Sequence, residues 1–132
     1  MKTKDSVYIR FLNPFSMAYF DQIASPTLLI DEKITRANLE KMARKAQQLD
    51  KKLVPHWKTA QSRTVGNWAK DYGIREVTAS SISLAEYLCG QGWESIHIAF
   101  PFNIREIPRL NRLAANQSIS VQVVNAATAK AL

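Results

Sequence analysis

Apolar and polar residues follow one another along this chain in two different rhythms. Short apolar runs are separated by longer stretches in which apolar residues recur every three or four positions. The first rhythm is typical of strands covered by helices, and the second is typical of amphipathic helices. The clearest helical stretch follows Asp31, a residue suited to cap a helix N-terminus. Its apolar positions are Ile34, Leu39, Met42, Ala43, Ala46 and Leu49.

These rhythms predict strands and helices in alternation. Strands are predicted over residues 27–30, 53–57, 76–80, 95–100 and 119–124. Helices are predicted after Asp31, over 65–72 with Gly73 as a stop signal, over 83–89, over 105–115, and from 126 onwards. Strands that alternate with helices of about ten residues indicate βαβ units and a parallel sheet.

The predicted fold class is therefore α/β, and two architectures fit it. One is an open doubly wound sheet, and the other is part of a (β/α)₈ barrel. A whole barrel takes about 250 residues, whereas this chain has 132. The predicted strands would fill about half of a barrel, so we expect either a fragment of a longer protein or a half-barrel that needs a partner. Residues 1–24 are predicted to be an irregular, aromatic extension, which Asn13-Pro14 interrupts.

Charge, apolar content and cysteine content indicate which classes of protein this chain can belong to. The net charge is +7, and residues 1–66 contribute twelve basic and six acidic side chains to it. A basic half of this kind is typical of a polyanion-binding module or of a solvated helix face. No stretch approaches 18 apolar residues and no clean signal peptide is legible, so we expect no membrane span and a cytoplasmic location. One cysteine excludes an internal disulfide framework and a cysteine-rich zinc site.

The most informative segment for chemistry is Val-Pro-His-Trp-Lys-Thr at residues 54–59. It places Lys58 at the carboxyl end of a predicted parallel strand, where the active sites of β/α barrels form. Lysine amines form Schiff bases with carbonyl compounds and with pyridoxal phosphate. The imidazole of His56 can move protons or hold a cofactor ring. A solvated charge at a strand end is the alternative explanation of the lysine.

The other polar or reactive residues have structural explanations. His97 lies in the middle of an apolar strand, and Cys89 lies on the apolar side of a short helix. Trp57 is predicted to point to the opposite side of the strand from Lys58 and to pack under helices. Ser62 has the position of a helix N-cap. We therefore expect no metal site from these residues.

Five segments occur in one order and at characteristic spacings. Together they identify a protein family more specifically than any one of them does. They are residues 25–31 (Ser-Pro-Thr-Leu-Leu-Ile-Asp), 55–59 (Pro-His-Trp-Lys-Thr), 79–86 (Ala-Ser-Ser-Ile-Ser-Leu-Ala-Glu), 98–101 (Ile-Ala-Phe-Pro) and 120–132. This set resembles the start of the D-threonine aldolase and D-serine dehydratase group, within the fold-type III, alanine-racemase-like, pyridoxal-phosphate enzymes. The resemblance covers the N-terminal portion of those enzymes only.

The resemblance implies roles for particular residues. Lys58 would form the Schiff base with pyridoxal phosphate, and His56 would lie beside the cofactor as a second catalytic residue. Thr59 and Ser81 would join these two in binding the cofactor. The strands at 53–57, 76–80, 95–100 and 119–124 would be the first four of eight, whereas residues 27–30 would reach toward a C-terminal β domain.

The resemblance also implies an activity. The full-length enzyme would cleave D-β-hydroxy amino acids by a retro-aldol reaction or dehydrate them by elimination. The alternatives are an amino-acid racemase, a non-catalytic relative that binds pyridoxal phosphate, and an inactive fragment. The partner would be a small amino acid, and many enzymes of this fold type are homodimers. In the family the phosphate cup and the metal ligands come from later strands and the C-terminal domain.

Several positions depart from the family pattern. Ala60 and Gln61 stand where the family has His and Lys, and Asn125 stands for its Asp. Ser81 replaces a Thr, and Leu84 replaces a Glu. These differences favour a divergent relative over an unmodified D-threonine aldolase.

Overall fold

The computed structural model describes residues 21–132, so the predicted extension over 1–24 lies outside it except for its last four residues. The helices are α1 (Glu32–Gln48), α2 (Arg63–Asp71), α3 (Ile82–Leu88), α4 (Ile107–Ala114) and α5 (Ala126–Ala131). The strands are β1 (Glu76–Ala79), β2 (Ser95–Pro101) and β3 (Ser118–Gln122). A short 3₁₀ helix, Ile104–Glu106, leads into α4.

Side-chain caps define where most of the helices begin. The carboxylate of Asp31 accepts a hydrogen bond from the N–H of Ile34 at 2.9 Å, which confirms the predicted cap of α1. Ser62, Ser81 and Asn125 cap α2, α3 and α5 in the same way. Each cap satisfies an N–H group that the first turn of a helix leaves without a partner. Helix α3 begins at Ile82 rather than at the predicted residue 83 because Ser81 is its cap.

The three strands form one parallel sheet in the order β1-β2-β3. The predicted α/β class with parallel strands is therefore confirmed. The second predicted strand, over residues 53–57, is reduced to a single bridge between His56 and Thr78. The N–H of Trp57 donates to the carbonyl of Thr78 at 2.8 Å, and the N–H of Thr78 donates to that of Pro55 at 2.9 Å. Proline has no N–H for the next ladder bond, so the ladder stops there.

The predicted strand over residues 27–30 was wrong. These residues belong to no strand, and Leu28 is 68% exposed. A strand needs a neighbour to satisfy its backbone groups, and the part of the chain that the structure describes places none beside this segment. The last strand, β3, also ends earlier than predicted, because Val123 and Val124 lie beyond the ladder and are exposed.

The hydrophobic core lies between the sheet and its helices. Val77 and Ile96 are fully buried on the helix-facing side of neighbouring strands, and Ala79 and Ile98 continue the same layer. Burying one large aliphatic side chain contributes about 1.5–3 kcal/mol. The helices cover this layer with Val65, Ala69, Leu84, Ala85, Leu88, Leu110 and Leu113. The sheet is thus covered by helices on one face, and its other face carries the polar positions of the strands.

Candidate functional site

Lys58 lies in the turn that directly follows the His56 bridge, at the carboxyl end of the sheet. Its side chain is exposed, and within residues 21–132 its amine has no ion-pair or hydrogen-bond partner. The turn itself is held by hydrogen bonds. The side-chain amide of Gln61 donates to the carbonyl of Lys58 at 2.9 Å, and the hydroxyl of Tyr87 donates to the carbonyl of Gln61 at 3.1 Å. A fixed backbone therefore presents a reachable amine, as the sequence predicts.

His56 is joined to this turn by its ring. The Nδ1 atom of His56 accepts a hydrogen bond from the backbone N–H of Lys58 at 3.3 Å. A neutral imidazole that accepts at Nδ1 carries its proton on Nε2. Its Nε2–H is then a donor for a ligand oxygen. The residue is half-buried, so part of it remains accessible to a ligand.

Thr59 and Ser81, the other two predicted cofactor contacts, lie near the same end of the sheet. The hydroxyl of Thr59 is exposed and faces the carbonyl of His56 at 3.5 Å, which is long for a hydrogen bond. The hydroxyl of Ser81 accepts from the N–H of Leu84 at 3.1 Å. Ser81 therefore has a structural role as the cap of α3, and its own proton is still available for donation.

The residues that flank Lys58 anchor the turn in the core. Trp57 is 3% exposed and packs edge-to-face on Trp93, with ring centroids 5.1 Å apart. Its side chain points toward the helices and away from Lys58, as strand alternation predicts. Ser62, only 1% exposed, caps α2 by accepting from the N–H of Val65 at 3.3 Å. The buried packing predicted for Trp57 and the helix cap predicted for Ser62 are thus confirmed.

Sheet register brings a second histidine onto the face that carries His56. Residues His56, Thr78, His97 and Ser120 are consecutive partners across the sheet. The Nδ1 atom of His97 lies 2.8 Å from the hydroxyl oxygen of Ser120, and His97 is half-buried. The sequence alone predicts a structural role for His97, in the middle of an apolar strand. Its signal was a polar side chain on the alternate positions of the strand, opposite to Ile96 and Ile98.

Many of the charged side chains on the helices are paired with one another. Arg36 donates to Asp71 at 2.8 Å and to Glu32 at 2.9 Å, and these bonds raise the pKa of its guanidinium. Arg109 donates to Glu86 at 2.6 Å and holds the pKa of that carboxyl below its usual range. Arg36 belongs to the basic first half of the chain, and its positive charge is therefore compensated by ion pairs with two carboxylates.

Lys70 differs from Lys58 in its surroundings. Its amine donates to the carbonyl of Gln91 and lies 5.3 Å from the ring centroid of Trp93. Burial lowers the pKa of this amine, and the positive charges of Arg75 and Arg63 add to the effect. Lys70 thus serves as an internal comparison for the reactivity of Lys58.

Residues 21–132 lack membrane-spanning helices and clusters of metal-ligating side chains. Their helices include none that is both long and apolar enough to cross a bilayer. They also contain no group of three or more metal-ligating side chains close enough to hold an ion.

Comparison with known proteins identifies the fold. No family profile matches the chain, and no curated protein matches it. Among solved structures, the chain is similar to a D-threonine aldolase from Filomicrobium marinum, with a TM-score of 0.77 and 22% sequence identity. The match covers 83% of this chain and 30% of that enzyme, so this chain spans less than a third of its length.

This likeness establishes the fold of the described residues. They are parallel β/α units equivalent to part of the D-threonine aldolase fold, as the partial-barrel prediction requires. The similar solved structure is that of a D-threonine aldolase, and D-threonine aldolases are in the group whose motifs the sequence resembles.

Proposed function

We propose that this chain is the N-terminal part of a pyridoxal-phosphate-dependent lyase that acts on D-β-hydroxy amino acids. The reaction would be retro-aldol cleavage, as in a D-threonine aldolase, or elimination, as in a D-serine dehydratase. One observation carries the proposal: the exposed amine of Lys58, without a described partner, follows the bridged strand at the carboxyl end of a sheet with this fold. That end of the strands is where β/α barrels assemble their active sites.

The chemistry of the groups at this end fits pyridoxal phosphate. A primary amine is the group that attaches an aldehyde covalently, and Lys58 supplies one. The Nε2–H of His56 supplies a donor for an oxygen of the cofactor or of the substrate, since its Nδ1 is occupied by the N–H of Lys58. The exposed hydroxyls of Thr59 and Ser81 supply two further polar contacts. Lys58, His56, Thr59 and Ser81 would therefore hold the cofactor.

The protein groups have separate tasks in this proposal. Pyridoxal phosphate, when bound, acts as an electron sink for negative charge at the α-carbon of an amino acid. Lys58 would hold the cofactor and then take or return a proton at the substrate. His56 would orient an oxygen through its Nε2–H. The hydrogen bonds that hold the backbone of the Lys58 turn would limit the motion of the amine, which favours one reacting geometry.

Three further expectations belong to the proposal. Residues 25–132 would form the partial cofactor-binding barrel domain, behind an extension over 1–24. The protein would act in the cytoplasm on a small amino acid. A homodimer is the expected assembly, and nucleic acid is not an expected partner.

Borohydride trapping tests the assignment of Lys58. The purified chain would be mixed with pyridoxal phosphate, reduced, digested and searched by mass spectrometry for pyridoxyl-lysine. We expect one preferred adduct, on Lys58, and its loss in Lys58→Ala. Lys41→Ala is the matched control, because Lys41 is also exposed and has no ion-pair partner among the described residues.

The pattern of labelling decides between the proposal and its alternatives. Labelling spread over many lysines of a folded sample, or centred on Lys70 with its lowered pKa, would contradict a cofactor site at Lys58. A racemase or a non-catalytic relative would also label Lys58. Release of an aldehyde or of a keto acid from D-threonine or D-serine, by a protein that includes the rest of the fold, would separate the lyase from these two.

A further inference from the structure

On the polar face of the sheet, Thr78 lies between two histidines, and we call this position the notch. His56 and His97 are both register partners of Thr78, one on each side of it. Because neighbouring strands lie about 4.8 Å apart, the Cα atoms of the two histidines are separated by roughly 10 Å. Thr78 has a short side chain, and its hydroxyl donates to the backbone carbonyl of Val54 at 3.3 Å. Two histidines thus flank a short threonine side chain on neighbouring strands.

Both histidines can carry their ring proton on Nε2. His56 accepts at Nδ1 from the backbone N–H of Lys58, which leaves its proton on Nε2. His97 lies 2.8 Å from the hydroxyl of Ser120 through its own Nδ1. When that hydroxyl donates to Nδ1, the proton of His97 is also on Nε2. Neither Nε2 atom has a hydrogen-bond partner within residues 21–132.

The surroundings of the notch favour an anion over an apolar group. Barrel interiors are usually filled by large branched aliphatic side chains. Here the paired positions on this face are Glu76, Thr78, Ser95, His97, Ser118 and Ser120. The acidic member, Glu76, pairs with the amine of Lys52 at 2.6 Å. Its charge is therefore already compensated.

We propose that His56 and His97 bind a carboxylate between them, with Ser120 as the positioning residue that orients His97. A carboxylate has two acceptor oxygens, and the two histidines that flank Thr78 offer one N–H donor for each. His56 lies two residues before Lys58 along the chain, directly before the turn that holds Lys58. The identity of the carboxylate as that of an amino-acid substrate rests on the proposed function; the notch itself does not.

The imidazole signals of the chain provide a direct test, since its only two histidines are His56 and His97. Two-bond proton–nitrogen spectra would be recorded at a pH of about 8, where an ordinary histidine is neutral. D-serine would be titrated into the chain without pyridoxal phosphate. D-serinamide, which lacks the carboxylate, is the matched ligand control. We expect both histidines to shift with one common saturation curve for D-serine and neither to shift for D-serinamide.

Variants add a second readout. His97→Ala is expected to weaken the binding of D-serine about tenfold, as followed at His56, which corresponds to about 1.4 kcal/mol. Ser120→Ala is expected to weaken it less and to change the tautomer signature of His97. Ser118→Ala, on the same face of β3 but two residues from Ser120, is expected to leave the affinity unchanged.

The outcomes separate this proposal from the assignment of Lys58. If His97 does not respond to D-serine, or responds equally to D-serinamide, the carboxylate notch is wrong even where Lys58 is trapped selectively. If both histidines respond and Lys58 is not trapped, the notch stands and the cofactor assignment fails. The wild-type titration decides the matter even where His97→Ala does not fold.

Discussion

The Nδ1 atom of His56 accepts a hydrogen bond from the backbone N–H of Lys58, 3.3 Å away. This bond joins the last residue paired to the sheet with the residue that presents the amine. It sets the tautomer of the imidazole, and it also holds the start of the turn. The two residues that the sequence singles out are thus one structural unit.

Replacing His56 by leucine removes the acceptor of that bond. We expect the yield of pyridoxyl-Lys58 after borohydride reduction to fall several-fold, because the amine loses its fixed backbone. The free energy of unfolding should fall by only about 0.5–1.5 kcal/mol, the usual contribution of one hydrogen bond. Quantitative mass spectrometry and urea unfolding measure the two effects. The control variant Lys41→Ala is expected to keep the full yield of pyridoxyl-Lys58. If the His56 variant gave the same yield, His56 would have no role at the site.

Gly66 lies inside α2, where glycine is normally less stable than alanine by about 1 kcal/mol. A Cβ atom at this position would lie 3.1 Å from the ring of Trp93 and 3.6 Å from that of Trp57. Both rings are buried and pack on each other, so they have little room to move. We expect Gly66→Ala to lower the midpoint of urea unfolding. A raised midpoint would show that the ring of Trp93 can give way.

Trp57→Ala should destabilise the fold by about 3–5 kcal/mol, the usual cost of a cavity left by a large aromatic side chain. Trp57→Phe should cost much less, since it removes an indole N–H that is buried without a hydrogen-bond partner among the described residues. Chemical unfolding followed by circular dichroism compares the two variants. Equal losses would mean that packing of the ring outweighs the unpaired N–H.

Stability should decrease in acid through the carboxyl of Glu86. The guanidinium of Arg109 lowers the pKa of Glu86, so the folded protein binds this proton less readily than the unfolded chain does. The contribution of the pair is then complete above the unfolded pKa of about 4.3 and is lost as the pH falls through the lower folded value. Unfolding midpoints measured from pH 6 to pH 3 should fall less steeply in Glu86→Gln.

Arg109→Gln provides the control for that experiment. Combined with Glu86→Gln, it should change the acid slope further only through the other ion pair of the guanidinium, with Glu106 at 2.8 Å. An undiminished slope in Glu86→Gln would assign the acid sensitivity to another pair, such as Glu76 with Lys52 at 2.6 Å.

The local features of the fold could be predicted from the sequence. Helix α1 has a cap at Asp31 and apolar residues at helical spacing, and both depend only on neighbours within a few positions. The parallel sheet follows from the alternation of elements, and the position of Lys58 follows from the end of an apolar run. The side of the strand to which Trp57 points follows from the period of two.

Pairing across the sheet was decided by the tertiary structure. Residues 27–30 have the composition of a strand but no neighbour among the described residues, and residues 53–57 keep one bridge because Pro55 cannot donate to the next ladder bond. His97 meets Ser120 and shares Thr78 with His56 through register alone. Caps and periodicity depend on bonds between near neighbours, whereas register depends on residues some twenty positions apart, and the spacing along the chain does not encode it.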